Sequence, residues 1–463
     1  MTNILMRNKV KEVPGLLFVT DNMSLMSSLG RQRMLDQPFL TDLEALRYER
    51  QAVTLMRAAM DNADYAMAVS TLSHQLMQLH DLHTTLQSLR SHYLLNEVEL
   101  FEIKNLAYHS NNARKALEQL SLDGFFCLPD LTEVFDLLDP DHAGIPNFYI
   151  YDSYDIRLAP LRRQLKQADD AKQAELIAEQ NEIQQQVIMH LCDKLQPYGD
   201  NLVTAMETMA YIDFTMARAQ LAKDWNLIIP EEEGETMRLE GLFNPRLLQH
   251  NLKEGLRYQP VDIELTEGVT FITGANMAGK TVLLKSVGVA QLMYQFGFPV
   301  PAGQALLSPV DDVVFCIGDE QNEMNGLSSF ASEITRISDV LRRSESEHLL
   351  VLIDEPARTT NPIEGKALVQ AIANIMESRD SITMITTHYS QLGIACRRLR
   401  VRGFVETMSD VPLTAQNINK FIDYSLVPDD SDEVPQEALR IAEMLECHPA
   451  LIDLARKHLA DNM

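Results

Sequence analysis

The chain has 463 residues, room for two or three domains at roughly 150 residues each. Its 46% hydrophobic and 23% charged residues are the balance of an ordinary globular protein, which excludes collagen-like, disordered and small disulfide-scaffold classes. With 40 basic against 66 acidic residues the net charge is −26. Both halves are acidic, which argues against an avid duplex-DNA binder with a basic face but leaves a local basic stripe open.

The N-terminal segment MTNILMRNKVKEVPG has no apolar h-region, and no run approaches about eighteen apolar residues, so neither export nor a membrane span is expected. Five scattered cysteines, Cys127, Cys192, Cys316, Cys396 and Cys447, form no CxxC pair. That usage suits reduced thiols in a cytoplasmic compartment.

Residues 1–235 read as almost wholly helical. Apolar residues recur at three- and four-residue spacing through Leu43, Leu46, Val53, Met56 and Met60, and again through Leu72, Leu76, Leu79, Leu82 and Leu86. His74, His80 and His83 lie close together, but no carboxylate or cysteine is placed to complete a metal site. The segment Asp139–Asp155 interrupts the pattern with turn residues, then Phe148, Tyr149, Ile150 and Tyr151, a short strand or ordered loop. Its aromatics are flanked by carboxylates, which suits core packing or a protein contact better than base stacking. From Leu158 to Gln196 the pattern predicts one long polar-faced helix with a stripe of Leu176, Ile183, Val187, Leu191 and Leu195. At ~1.5 Å per residue it would span on the order of 55–60 Å, the length of a lever.

After the acidic run around Glu231–Glu235 the texture changes. Val269–Thr273, Val313–Ile317, Leu349–Ile353 and Ile382–Thr386 are candidate strands, with helices near 280–296, 328–344 and 363–378 between them. Buried apolar strands alternating with helices imply a mostly parallel sheet covered on both faces.

The first of these strands runs into Gly274-Ala275-Asn276-Met277-Ala278-Gly279-Lys280-Thr281 and then a helix. This is GxxxxGK[ST] in strand–loop–helix context: backbone amides cradle phosphates, Lys280 reaches the β- and γ-phosphates, and Thr281 offers a hydroxyl to Mg²⁺. The buried strand Leu349–Ile353 ends in Asp354 and Glu355, suited to holding Mg²⁺ through water and to orienting an attacking water. Strand Ile382–Thr386 ends at Thr387-His388-Tyr389, where His388 can donate to a γ-phosphate. Gly326-Leu327-Ser328-Ser329-Phe330 opens a helix and reads either as a plain N-cap or as an anion site.

The order GANMAGKT, GLSSF, LLVLIDEPARTTNP, ITTHY resembles the ATPase domain of MutS proteins, the mismatch-repair branch of the ABC-type ATPases. Phe298–Ala302 and Ser308–Asp311 are similar to that family's VPA…PID segment. The resemblance is strong over 258–408 and weaker elsewhere. It implies ATP and Mg²⁺ as cofactors, with Gly274 to Thr281 around the phosphates and Thr281 and Asp354 toward the metal. Glu355, His388 and Lys280 take the catalytic roles, and Tyr258 packs near the adenine. Ser328 caps, in trans, the γ-phosphate bound by the other subunit of a homodimer. The sequence departs from the family at Ala275 and Ala278, for Pro and Gly, and at Pro356, Ala357 and Thr359, for Ile, Gly and Gly. Ala278 fits such a loop only with a negative φ.

The expected architecture is α + α/β: a helical core and lever domain over 1–235, with 139–185 as a reduced clamp-like insertion, then a P-loop ABC/MutS-type ATPase domain over 236–463. The latter would end in a helix-turn-helix dimerisation segment at about 436–460. The resemblance implies that the family's mismatch-reading and connector domains are missing. Two clients stay open: DNA, as in mismatch repair or DNA-structure binding, and a protein remodelled by the same engine, as in reactivation of a cobalamin-dependent amino-acid aminomutase. The clamp position carries Arg157, Arg162, Arg163, Lys166 and Lys172 among many acidic residues and gives no clear phosphate-contacting stripe.

Overall fold

A computed structural model describes residues 4–144, 149–232, 236–274, 279–318, 329–404, 421–429, 439, 442 and 447–461. In chain order the helices are α1 Met6–Glu12, α2 Pro14–Asp21, α3 Ser28–Leu35, α4 Leu43–Asp61, α5 Ala66–Leu76, α6 His83–Arg90, α7 Glu97–Gln119, α8 Thr132–Leu138, α9 Leu158–Leu165, α10 Asp170–Leu195, α11 Gly199–Trp225, α12 Pro245–Lys253, α13 Lys280–Gln295, α14 Ser329–Arg343, α15 Pro362–Glu377 and α16 Pro449–Asp461. The strands are β1 Glu231–Glu232, β2 Thr236–Leu242, β3 Val261–Thr266, β4 Gly268–Thr273, β5 Gln304–Leu307, β6 Asp312–Cys316, β7 Leu349–Asp354, β8 Ile382–Thr386, β9 Arg397–Phe404 and β10 Ile422–Pro428. A helical N-terminal part is thus followed by a mostly parallel sheet domain, as the sequence leads one to expect.

The compact units are drawn differently from a break at residue 235. One comprises Met1–Asn22, Pro38–Arg50 and Ala222–Met463; the other comprises Met23–Gln37 and Gln51–Leu221. The N-terminal residues join the sheet unit for identifiable reasons. Buried Lys9 of α1 pairs with buried Asp312 at the start of β6 (2.6 Å) and donates to Val313 O (3.2 Å). Gly15 of α2 lies so close to α13 that a Cβ there would stand 2.6 Å from Val289 Cγ2. Gln295 ties residue 40 in, its amide donating to Leu40 O (2.9 Å) while Leu40 N donates to Gln295 O (2.8 Å).

In the sheet unit a six-stranded sheet runs β10-β9-β4-β8-β7-β6, with β10 antiparallel to β9 and the other pairings parallel. The β4 and β8 side chains are buried throughout, and so are those of β7 until its last residue, which is why these strands read as unbroken apolar runs. A smaller four-stranded sheet runs β1-β5-β2-β3. Val269, Phe271, Leu349, Val351, Ile353, Val369, Ile372 and Ile385 form the core on the face that α14 and α15 cover. The C-terminal tips of β4, β7 and β8 all lie at one edge because the strands are parallel.

In the helical unit α7 packs against α5 and α8. Asn96 and Glu99 close a reciprocal capping box at the start of α7. Asp213 of α11 is fully buried and accepts from Met26 N (2.9 Å), Ser27 N (2.8 Å) and Ser27 Oγ (2.6 Å). Ser27 Oγ itself caps α3 by accepting from Gly30 N (2.9 Å).

The single long helix expected over 158–196 is two helices. Asp169 breaks it: its carboxylate accepts from Lys172 N (3.1 Å) as an N-cap, so α10 starts anew after α9 has ended. The residues Tyr149 to Asp155 form an ordered loop and no strand. Buried Asp139 gathers this segment, accepting from the Tyr151 hydroxyl, Ala143 N (3.2 Å) and Gly144 N (3.0 Å), and Tyr154 donates to Leu137 O (3.0 Å). Phe148 lies outside the described residues. No described helix is long and apolar enough to cross a membrane.

Candidate nucleotide site

Gly274 at the end of β4 has φ +132° and Gly279 at the start of α13 has φ +75°, backbone conformations that glycine reaches without strain. Ala275, Asn276, Met277 and Ala278 lie outside the described residues, as does Ser328. Lys280 opens α13, where the unpaired amides of the first turn carry partial positive charge. Its ammonium is buried, donates to Gly274 O (2.7 Å) and pairs with Glu355 Oε1 (3.5 Å). Burial pushes its pKa below the usual lysine value, and the Glu355 carboxylate opposes that shift.

Next to it, Thr281 donates to Asp354 Oδ2 (2.7 Å), and Thr386 at the tip of β8 donates to Asp354 Oδ1 (2.6 Å). Thr386 serves twice, since its Oγ1 also accepts from Glu355 N (2.9 Å). The tips of β7 and β8 and the first turn of α13 thereby meet at one edge. A hydroxyl and a carboxylate in hydrogen-bond contact are the hard oxygen donors that Mg²⁺ prefers, so these residues fit the ion that the sequence motif implies.

The turn after Asp354 is strained. Glu355 has φ +43° and Ala357 φ +60°, both left-handed and neither glycine. Arg358 donates to Glu355 Oε2 (3.3 Å), so each carboxylate oxygen of Glu355 faces a cation. His388 is exposed, and its ring lies 4.3 Å from that of Tyr389. Desolvation lowers its pKa, while the Glu355 carboxylate raises it.

Tyr258 is held at the edge of the sheet unit by its hydroxyl, which accepts from Asn244 N (2.7 Å); Asn244 Nδ2 in turn donates to Ser286 of α13 (3.3 Å). Three further residues belong to this edge without having been singled out by sequence. Thr386 buttresses both acids, Glu333 of α14 accepts from Ala357 N (2.9 Å), and the Tyr424 ring lies where a Cβ on Gly279 would be 3.2 Å from its Cδ1. Only Thr386 carried a sequence signal, a hydroxyl at the tip of a buried strand beside the His388 motif.

Residues 270–461 match MutS domain V. Over this stretch the chain is similar to MutS proteins. It is 37% identical over 221 residues to Endonuclease MutS2 of Agathobacter rectalis, an alignment covering 47% of this chain and 27% of that protein. Endonuclease MutS2 of Symbiobacterium thermophilum is 33% identical over 291 residues, covering 62% of this chain and 34% of the relative. A third, Endonuclease MutS2 of Enterococcus faecalis, is 32% identical over 239 residues, 50% of this chain and 29% of its own length. The chain thus spans about a third or less of the relatives it matches. The match begins two residues into β4 and takes in every later described element through α16.

Outside domain V, two basic residues of the clamp-like segment, Arg157 and Arg162, are engaged within the chain. Arg157 donates to both carboxylate oxygens of Asp155 (3.0 and 2.8 Å) and to Gln186 (2.9 Å). Arg162 pairs with Asp152, donates to Ile150 O (2.7 Å) and the Tyr149 hydroxyl (2.7 Å), and stacks over the Tyr149 ring. Of the expected dimerisation segment, α16 is described, and most of the residues before Cys447 lie outside the described residues.

Proposed function

We propose that this protein is a Mg²⁺-dependent ATPase of the MutS family whose closure on ATP moves its helical part, and that its client is DNA. The observation carrying the ATPase reading is the meeting of Thr281 with Asp354 beside the Lys280–Glu355 pair at the tips of β7 and β8. In this reading Gly274 to Thr281 bind the phosphates, with Lys280 leaving Gly274 O and Glu355 to take up the β- and γ-phosphates. Glu355 orients the water for in-line attack, and positioning of this kind supplies most of phosphoryl-transfer catalysis. Thr281 and Asp354 hold Mg²⁺, which neutralises charge developing on the phosphates. His388 donates to the γ-phosphate, Tyr258 lies on the adenine side, and Ser328 of a second copy completes the site in a homodimer.

The DNA reading is supported by the similarity of residues 270–461 to MutS domain V. A protein client is favoured by a different observation: net charge is −26, and Arg157 and Arg162 are already paired with Asp155 and Asp152. One preparation tests both levels. Wild type should release phosphate from ATP and Glu355→Gln should bind ATP with little turnover; equal turnover would remove Glu355 from its role. The glutamine variant with ATP and Mg²⁺ is then titrated with perfect, mismatched and branched duplexes at about 50 and 200 mM salt. Affinity falling steeply with salt would show several phosphates contacted and sustain the DNA client. No ATP-dependent binding at the lower salt would transfer the reading to a protein client.

A further inference from the structure

The strained turn that follows Asp354 is held from outside at a single residue. Ala357 is fully buried at φ +60°, where the related family motif has glycine. A side-chain-bearing residue keeps such a conformation only when its surroundings over-determine it. Both polar ends of Ala357 are held by side chains from other elements. Its N–H donates to Glu333 Oε1 on α14 (2.9 Å), and its carbonyl accepts from the Tyr389 hydroxyl just beyond β8 (3.3 Å). Tyr389 is itself seated: its own N–H donates to Thr387 Oγ1 (3.0 Å), and its hydroxyl occupies the space that a Cβ on Gly365 of α15 would need. Glu333 is half-buried, and burial raises its pKa while the hydrogen bond from Ala357 N lowers it. On the other side of Pro356, Glu355 carries the second left-handed conformation of the same turn, and Arg358 reaches back to its carboxylate.

We infer that Glu333 and Tyr389 form a latch on Ala357 and act as positioning residues for Glu355, fixing the strained turn that aims its carboxylate. The inference rests on Glu355 being the water-orienting group. Glu333 lies one helical turn after the first described residue of α14, so the latch also ties the start of that helix to the catalytic turn. Because the latch acts on geometry and makes no contact with phosphates, it sets turnover and leaves nucleotide affinity alone.

Steady-state ATPase kinetics, ATP titrations and amide hydrogen exchange on the full chain test this. Glu333→Ala should lower kcat about tenfold, since small misplacements of a reacting group cost one to two decades. KM and the ATP dissociation constant should stay within about twofold of wild type, and exchange at the Ala357 amide should accelerate. Glu333→Gln keeps an acceptor oxygen and should restore most of the rate. Ala357→Gly placed in the Glu333→Ala background should also recover it, because glycine adopts φ +60° without being held. If Glu333→Ala fails to fold, Tyr389→Phe removes only the hydroxyl on Ala357 O and should lower kcat in the same way. An unchanged kcat in Glu333→Ala alongside an inactive Glu355→Gln overturns the latch alone, as does equal loss in Glu333→Gln and Glu333→Ala. Wild-type turnover in Glu355→Gln would instead bring down the reading of Glu355, and the proposal with it.

Discussion

Thr281 donates its hydroxyl to Asp354 Oδ2 at 2.7 Å, bringing the first turn of α13 to the tip of β7 across 73 positions of sequence. The contact fixes one carboxylate oxygen while Thr386 fixes the other at 2.6 Å, so Asp354 has no freedom to turn away. Orientation of a ligating carboxylate by neighbouring hydroxyls is commonly worth one to two decades in metal affinity. Thr281→Val keeps the volume and removes the oxygen. The Mg²⁺ concentration for half-maximal ATP turnover should rise at least about tenfold, and an unshifted Mg²⁺ titration would separate Thr281 from the metal.

Lys280 makes the second testable contact. Its ammonium is buried against Gly274 O and Glu355, and burial alone would favour losing the proton. A triphosphate would supply far more compensating charge than one carboxylate does. Lys280→Ala should therefore weaken ATP binding by at least about tenfold, as loss of a desolvated charge-assisted contact does. Fluorescent-nucleotide titration decides it, and wild-type affinity in the variant would place the triphosphate elsewhere.

What the sequence discloses of this edge follows from burial. The strands β4, β7 and β8 are covered on both faces, so their apolar runs stand out, and the residues at their tips could be read as chemistry. Strand β9 is different: Arg397, Arg398, Arg400 and Arg402 interrupt it because its side chains alternate between core and surroundings, and it does not announce itself. Asp169 was no warning of a helix break, since an Asp reads equally well as part of a polar helix face until its carboxylate is seen to accept from Lys172 N. Lys9 was invisible for a related reason. A lysine on a short first helix reads as solvated, and only tertiary structure brings it to Asp312. Glu333 and Tyr389 likewise gain meaning only from the backbone of Ala357, a contact that no spacing rule contains.

Gly288 tests how closely α13 sits on the sheet. A Cβ there would collide with the Phe315 ring and stand 2.6 Å from Leu352 Cδ1, so β6 and β7 side chains fill the space that any larger residue needs. Overpacking of this kind costs about 1–3 kcal/mol. Gly288→Ala should lower the urea midpoint accordingly and leave the m-value unchanged. A variant as stable as wild type would mean that α13 can rise off the sheet, and nucleotide affinity should then change as well, since Lys280 and Thr281 ride on the same helix.

The helical unit offers a test by acid. His109 on α7 shares its Nδ1 with Gln75 Oε1 at 2.8 Å, and burial, with smaller contributions from His74 and His80, lowers its pKa from 6.5 to about 4. Between those two values the unfolded chain binds a proton that the folded protein refuses. Stability must therefore rise with pH through this window and be lost as pH falls from about 6.5 toward 4, with nothing further lost below both values. Replacing the imidazole by a group that does not titrate removes that part of the slope. His109→Gln should accordingly lose less of its urea midpoint between pH 7 and pH 5 than wild type does, whatever its stability at neutral pH. Parallel curves for the two proteins would show that the acid sensitivity of this unit comes from other groups and that His109 takes its proton in the folded state.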